Sequence, residues 1–141
     1  MKEKDVELGF VLKLERGESV IDAITDFCAR RGIRGAVFNG IGAIERIQIG
    51  YYDLEKREYF WRAENDPHEV ASMQGNVALV ERKPFCHVHA VLSKSDATCA
   101  AIGGHIKEAY VAVTLEVFLT PLPVPLSREI DESIGLKLLN I

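Results

Sequence analysis

The stretch Ala109-Tyr110-Val111-Ala112-Val113-Thr114-Leu115-Glu116-Val117-Phe118-Leu119-Thr120 decides the fold class. Val111, Val113, Leu115, Val117 and Leu119 alternate with Tyr110, Ala112, Thr114, Glu116 and Phe118. A period of two puts each set on one face of an extended strand. β-Branched and aromatic residues suit such a pleated surface. Pro121, Pro123 and Pro125 end regular pairing, because each lacks the N–H that a ladder needs. The face bearing Tyr110, Ala112 and Phe118 is unusually apolar for one turned to water, which marks it as a candidate oligomer contact. Glu116 interrupts that face. Alternation reads it as a solvent-facing acid, beside the alternatives of a metal ligand or a partner orienting a histidine.

The same period recurs toward the N terminus. Val6, Leu8, Phe10, Leu12 and Leu14 predict one half-buried strand, followed by a turn at Glu15-Arg16-Gly17-Glu18. Further strands are expected over 44–52 and 58–62, joined by a hairpin loop at 53–57. Asn65-Asp66-Pro67 is a break. Two short strands, 69–73 and 76–81, flank Gly75, and Arg82-Lys83-Pro84 turns the chain into a strand over 85–92. Ser93 to Thr98 reads as a loop.

Only one segment has helical spacing. Val20, Ile21, Ile24, Phe27 and Cys28 fall on one helical face, Ser19 suits the N-cap, Arg30 and Arg31 suit the C-terminal end, and Gly32 suits the residue after it. One principal helix, at about residues 19–31, against many strands predicts an α+β domain with a mainly antiparallel sheet. With 141 residues, 48% of them hydrophobic, the chain reads as a single domain over 1–141. Its core spans about 5–120, and a C-terminal extension over 121–141 packs on the domain or on a neighbouring subunit.

Composition excludes several classes. The hydrophobic and charged fractions, 48% and 27%, are those of a globular chain and not of a disordered or collagen-like one. No apolar run is long enough for a membrane span. Met1-Lys2-Glu3-Lys4-Asp5 does not open a secretory leader. Cys28, Cys86 and Cys99 form no C-x-x-C, which fits a reducing compartment, so the expected location is the cytoplasm. A formal net charge of −4 argues against a phosphate-backbone binder. The basic clusters, Arg30-Arg31 with Arg34 and Arg82-Lys83, are explained by helix-end charge and turn solvation.

The sharpest chemical pattern is His87-Val88-His89 with Gly103-Gly104-His105. Histidines at i and i+2 on a strand share a face. Two glycines allow close backbone passage, so His105 can approach that face. Three imidazoles are an established ligand set for Zn²⁺, and imidazole also suits Ni²⁺, Cu²⁺ and Fe²⁺. H-x-H alone is a weak signal, and histidines satisfied by the backbone are common. Cys86 lies beside His87 but points to the opposite face. His68, after Pro67, is expected in solvent. Asn39, Asn76 and Glu116 are candidate polar neighbours of the cluster. Gly40-Ile41-Gly42-Ala43 begins a G-x-G-x-x-G, but Arg46 stands where the last glycine belongs, so a bulge or tight turn is the better reading. There is no P-loop and no G-x-S-x-G, so no catalytic residue is assigned and enzymatic activity stays open.

Taken in order, Leu14-Glu15-Arg16-Gly17-Glu18, Gly40-Ile41-Gly42-Ala43, Gly50-Tyr51-Tyr52-Asp53, Gly75-Asn76, His87-Val88-His89 and Gly103-Gly104-His105-Ile106 resemble the plant-and-prokaryote-conserved (PPC) domain family. A tail with Arg128, Asp131-Glu132 and Gly135-Leu136-Lys137-Leu138-Leu139 extends the likeness to stand-alone prokaryotic members. The resemblance implies a compact α+β domain, assembly as a homotrimer, and a histidine cluster at His87, His89 and His105. Similar plant domains work in nuclear DNA-binding proteins through attached AT-hooks, whose Arg-Gly-Arg-Pro core is not found here. Arg31-Gly32-Ile33-Arg34 is the nearest match and lacks the proline. The implied role is a regulatory, DNA-associated or protein-interaction module with a three-histidine metal site, zinc being the metal that set favours. The alternative is a small zinc-dependent enzyme or metal-dependent ligand-binding protein using the same histidines. Direct DNA binding, a third reading, needs a basic surface assembled only in the oligomer.

Overall fold

The computed structural model describes all residues, Met1–Ile141. Its elements are β1 (Lys2–Val6), β2 (Gly9–Glu15), α1 (Val20–Arg31), β3 (Ala36–Asp53), β4 (Glu58–Glu64), β5 (His68–Val80), β6 (Lys83–Lys94), β7 (Ala101–Pro121), β8 (Ser127–Asp131) and β9 (Leu136–Asn140). Every pairing is antiparallel except a single parallel contact between Leu79 and Ser127. One helix against an antiparallel sheet is the expected α+β arrangement. No helix is long and apolar enough to cross a membrane.

The sheet closes on itself. β3 pairs with both β5 and β7, and β6 pairs with the same two strands, so β3, β5, β6 and β7 form a hydrogen-bonded ring. β2 extends it alongside β7, and β4 alongside β3. The buried helix face, Val20, Ile24, Phe27 and Cys28, joins Leu12, Leu14, Val88, Leu92, Leu115 and Leu119 in one core. The Ser19 hydroxyl accepts from the Asp22 N–H, and Gly32 ends the helix at φ 65°, as the capping signals indicate.

The strand predicted across residues 6–14 is instead a hairpin. β1 folds back on β2 around Glu7 and Leu8, and Leu8 is 77% exposed. The alternation runs unbroken through the turn and hides it. Gly9, at φ 149°, marks it: a Cβ there would lie 2.2 Å from the Leu119 carbonyl oxygen. Nor does Gly75 separate two strands. β5 runs straight through it, and the Phe38 ring fills the space a side chain would take, 2.2 Å from an ideal Cβ. The β5–β6 turn sits at Glu81 and Arg82, both at positive φ, one residue before its expected position.

Alternation in β7 also breaks where the sequence shows no sign of it. Val111 and Ala112 are both buried while Val113 is 69% exposed. The β3–β7 register slips between Gly42↔Leu115 and Ile44↔Val111. Gly42 permits this, because a Cβ would stand 2.1 Å from the Thr114 oxygen. The β3–β5 register shifts between Gly40 and Gly42, so the expected bulge is present. The apolar face predicted for β7 is therefore divided. Ala112 enters the core, while Phe118 stays exposed with Val37 and Ile41 of β3, and Glu116 lies opposite Ile41 in solvent.

Residues 122–126 run beside Arg34 and Gly35, just before β3, and reach Leu79 of β5. The Leu126 N–H donates to Arg34 and its carbonyl accepts from Leu79. β8 and β9 then form a hairpin against the same chain. The Tyr52 hydroxyl donates to the Ile134 carbonyl at 2.8 Å, and Arg57 donates to the Ser133 carbonyl at 2.9 Å.

Candidate metal centre

Pairing geometry assembles the histidines. On β6, His87 and His89 face one way while Cys86 and Val88 point into the core. His105 on β7 pairs directly with His89. It also pairs with Gly50 of β3, and the approach there is close: a Cβ on Gly104 would lie 2.6 Å from the Gly50 oxygen, whereas one on Gly103 would meet nothing nearer than 3.5 Å. Of the two glycines, Gly104 is the one that sterics require.

The three rings have centroid separations of 5.0 Å (His87–His89), 5.0 Å (His87–His105) and 5.2 Å (His89–His105). Each offers one ring nitrogen, and these lie within 4.8 Å of one another. Nε2 of His87 and Nε2 of His89 are 3.2 Å apart. Two nitrogens bonded to one tetrahedral zinc are separated by about 3.3 Å, given bond lengths near 2.0–2.1 Å. The donor set therefore fits a divalent, imidazole-preferring metal.

Burial holds His87 and His105 well below the usual histidine range, at about 4, with Arg128 and the neighbouring rings adding to the effect. Both are neutral at pH 7, the form that ligates. Arg128 of β8 completes the site from the side of the hairpin. Its Nη2 donates to Asn76 Oδ1 at 2.8 Å and lies 3.2 Å from His87 Nδ1, and its Nη1 donates to the Lys137 carbonyl at 3.0 Å. A guanidinium only donates, so His87 Nδ1 is the acceptor and the network assigns the ring proton to Nε2. For His87 to hold a metal through Nε2 its ring proton would have to sit on Nδ1, and that tautomer would give up the contact with Arg128.

Tyr59 and Trp61 of β4 stack at 4.8 Å and cover His105, at 5.2 and 5.7 Å. Beyond the histidines opens a cavity of about 580 Å³, walled on its far side by the β8–β9 hairpin.

Asn76 does reach the cluster, through Arg128. Asn39 lies elsewhere, along β3 opposite Phe118, and Glu116 is on the outer face of β7. His68 corrects the expectation of solvent exposure. It is 1% exposed, because β5 begins at this residue, between Ile44 of β3 and Lys94 of β6, and its Nδ1 lies 2.9 Å from the Asp66 carbonyl oxygen. Arg30 and Arg31 pair with Glu3 and Asp5 of β1. Tyr59 and Trp61 went unread as site residues, although an aromatic run opposite Gly50 was the available signal.

The family model of the Plants and Prokaryotes Conserved (PCC) domain matches residues 1–123. The chain is 39% identical to a metal-containing protein from Archaeoglobus fulgidus, with a TM-score of 0.87 and 100% of both chains covered. It is 32% identical to a plant- and prokaryote-conserved (PPC) protein from Pyrococcus horikoshii, with a TM-score of 0.85 over 93% of this chain and 90% of that one. A candidate DNA-binding protein from Ralstonia eutropha JMP134 shares 26% identity and a TM-score of 0.89, over 99% of this chain and 96% of that one. Among curated proteins none matches.

Proposed function

The chain belongs to the Plants and Prokaryotes Conserved domain family, and on that premise we propose that it is a metal-holding regulatory domain that works as a homotrimer in the cytoplasm. The metal is held by His87, His89 and His105, and zinc suits the set best. One observation carries this reading: three imidazoles converge with their nitrogens within 4.8 Å, burial keeps those of His87 and His105 neutral, and no acid or thiol joins them. The metal-containing relative from Archaeoglobus fulgidus supports it. Assembly rests on the exposed apolar residues Val37, Ile41 and Phe118, which share one outer face of β3 and β7. DNA association is supported by the candidate DNA-binding relative. With a net charge of −4, it works through a protein partner or through a surface formed on assembly.

The cavity favours a second reading, a small zinc-dependent enzyme or metal-dependent ligand-binding protein. A metal at this position supplies Lewis acidity. The chain supplies the rest: Tyr59 and Trp61 keep water from one side of His105, and Asn76 positions Arg128 over the cavity.

Metal content and native mass, measured on untagged protein in one sample, test the proposal. Near-stoichiometric zinc and three times the 15.7 kDa chain mass are expected. Full metal retention after His87→Ala with His89→Ala overturns the metal assignment. A monomer at micromolar concentration overturns the assembly.

A further inference from the structure

We propose that the cavity between the histidine cluster and the β8–β9 hairpin binds a small monocarboxylate with an apolar body, and that Arg128 is the anchor for its carboxylate. Charge is the first argument. The cavity lining contains Arg128 and Lys137 but no acidic residue, in a chain where acidic residues outnumber basic ones by 21 to 17. Lys137 already has a counter-charge, Glu81 at 3.3 Å. Arg128 has none. Its contacts are an amide oxygen, a backbone carbonyl and an imidazole nitrogen, all neutral, and its buried Nε has no partner. A partly buried cation without a counter-ion is destabilising, and an anionic ligand supplies what the protein omits.

Shape and lining choose among anions. A volume of about 580 Å³ is that of a small-molecule site. The walls include Tyr52, Tyr59, Phe85, Ile130, Leu136 and Leu138. Inorganic phosphate would leave those walls wet, whereas a carboxylate with a hydrocarbon or aromatic body covers them. The Arg128 guanidinium lies 5.9 Å from the Phe85 ring centroid, so cation and apolar wall are adjacent. Nη2 is committed to Asn76 and His87 and Nη1 gives one hydrogen to the Lys137 carbonyl, which leaves one Nη1 hydrogen for a single carboxylate oxygen.

The proposal rests on the metal reading only in sharing its cavity, and the test separates them. Untagged protein, in EDTA-stripped and in zinc-loaded form, is titrated calorimetrically with 3-phenylpropanoate, its neutral analogue 3-phenylpropan-1-ol, and inorganic phosphate. In the stripped protein the carboxylate is expected to saturate at one per chain and to bind at least about tenfold tighter than the alcohol or phosphate. Arg128→Gln is expected to lose about tenfold or more, and Ile130→Trp, which fills the cavity and spares Arg128, to lose binding as well. Equal affinity for the alcohol, equal or tighter binding of phosphate, or no saturation at millimolar concentration overturns the proposal. So does binding seen only with zinc and untouched by Arg128→Gln, a result that leaves the metal reading standing. Carboxylate binding in protein that takes up no zinc has the opposite meaning: the cavity assignment holds and the metal assignment fails. The comparison of the three ligands on the unmodified chain keeps the test valid should a variant fold poorly.

Discussion

Substituting Gly104 and Gly103 separately by alanine tests how the fold places His105. An ideal Cβ at Gly104 lies 2.6 Å from the Gly50 oxygen and 3.2 Å from Ile49 Cγ1. A comfortable carbon–oxygen contact is about 3.3 Å, so β7 and β3 must part by roughly 0.7 Å. Overpacking of this kind destabilises by about 1–3 kcal/mol. At Gly103 the nearest atoms, the Ala90 oxygen and Val91 Cγ2, lie 3.5 and 3.6 Å away, an ordinary contact. Alanine there is expected to change stability by no more than about 0.5 kcal/mol. Urea unfolding of the metal-stripped protein reads both, with the midpoint falling only for Gly104→Ala and the m-value unchanged. Because His105 pairs with Gly50 across the same gap, its ring moves with the strand. Metal ligands tolerate displacements of about 0.2 Å, so zinc affinity is expected to fall at least about tenfold in Gly104→Ala and not in Gly103→Ala. Equal effects of the two substitutions would refute the close approach of β3 and β7 as the reason for the glycine.

Other perturbations probe separate parts of the molecule. His87 and His105 sit at about 4, against a reference of 6.5. The unfolded chain therefore takes up these protons first, and the stability they contribute, complete above pH 6.5, declines as pH falls toward 4. Between neutral pH and about pH 4.5, metal-stripped wild type should lose more stability than His87→Gln with His105→Gln, and parallel losses would contradict the assignment. Burial pushes the Cys28 thiol up to about 12 and raises Cys86, while Cys99 is exposed. Ellman's reagent should thus react promptly with one thiol in native protein and with all three in denaturant; a second fast thiol would count against the packing of α1 on β6. Tyr52→Phe removes the hydroxyl that donates to Ile134. Amide exchange in the β8–β9 hairpin should quicken by about five- to tenfold with little change in the global urea midpoint, and unaltered exchange would show that this bond does not hold the hairpin.

The parts of the site that were legible in the sequence are those fixed by short-range geometry. His87 and His89 share a face because strand periodicity is two, and Gly103-Gly104 before His105 signalled a close crossing, although not which of the two glycines it needs. Arg128 could not be placed that way. It lies 41 residues from His87 along the chain, and the short tail that carries it has no period strong enough to predict a hairpin, let alone where it docks. The burial of His68 is likewise a tertiary effect, of β3 and β6 closing over the first residue of β5. In the fold, α1 was readable because a cap, a periodic face and a terminal glycine agree. The β1–β2 turn was not, because Glu7 and Leu8 keep the alternation of a continuous strand. The slip at Val111 and Ala112 was hidden for a related reason: both are apolar, and only the strand opposite determines which of them turns inward.

Ring closure also sets the order in which this chain can fold. Leu12 waits for Val117 and Phe38 for Leu119, so β2 and β3, although paired early with β1, β4 and β5, each keep one edge open until the last long strand arrives. Until then Leu14, Ile24, Phe27 and Phe38, all core residues, have no complete surface to pack against. Topologies built on such distant pairings fold in about milliseconds to seconds, slower than helical bundles of similar size. A nascent chain that has not yet presented residues 101–121 to the rest is therefore an apolar, open-edged species, the kind that chaperones hold. The strand that brings His105 to the other two histidines is the same one that ends this exposed interval.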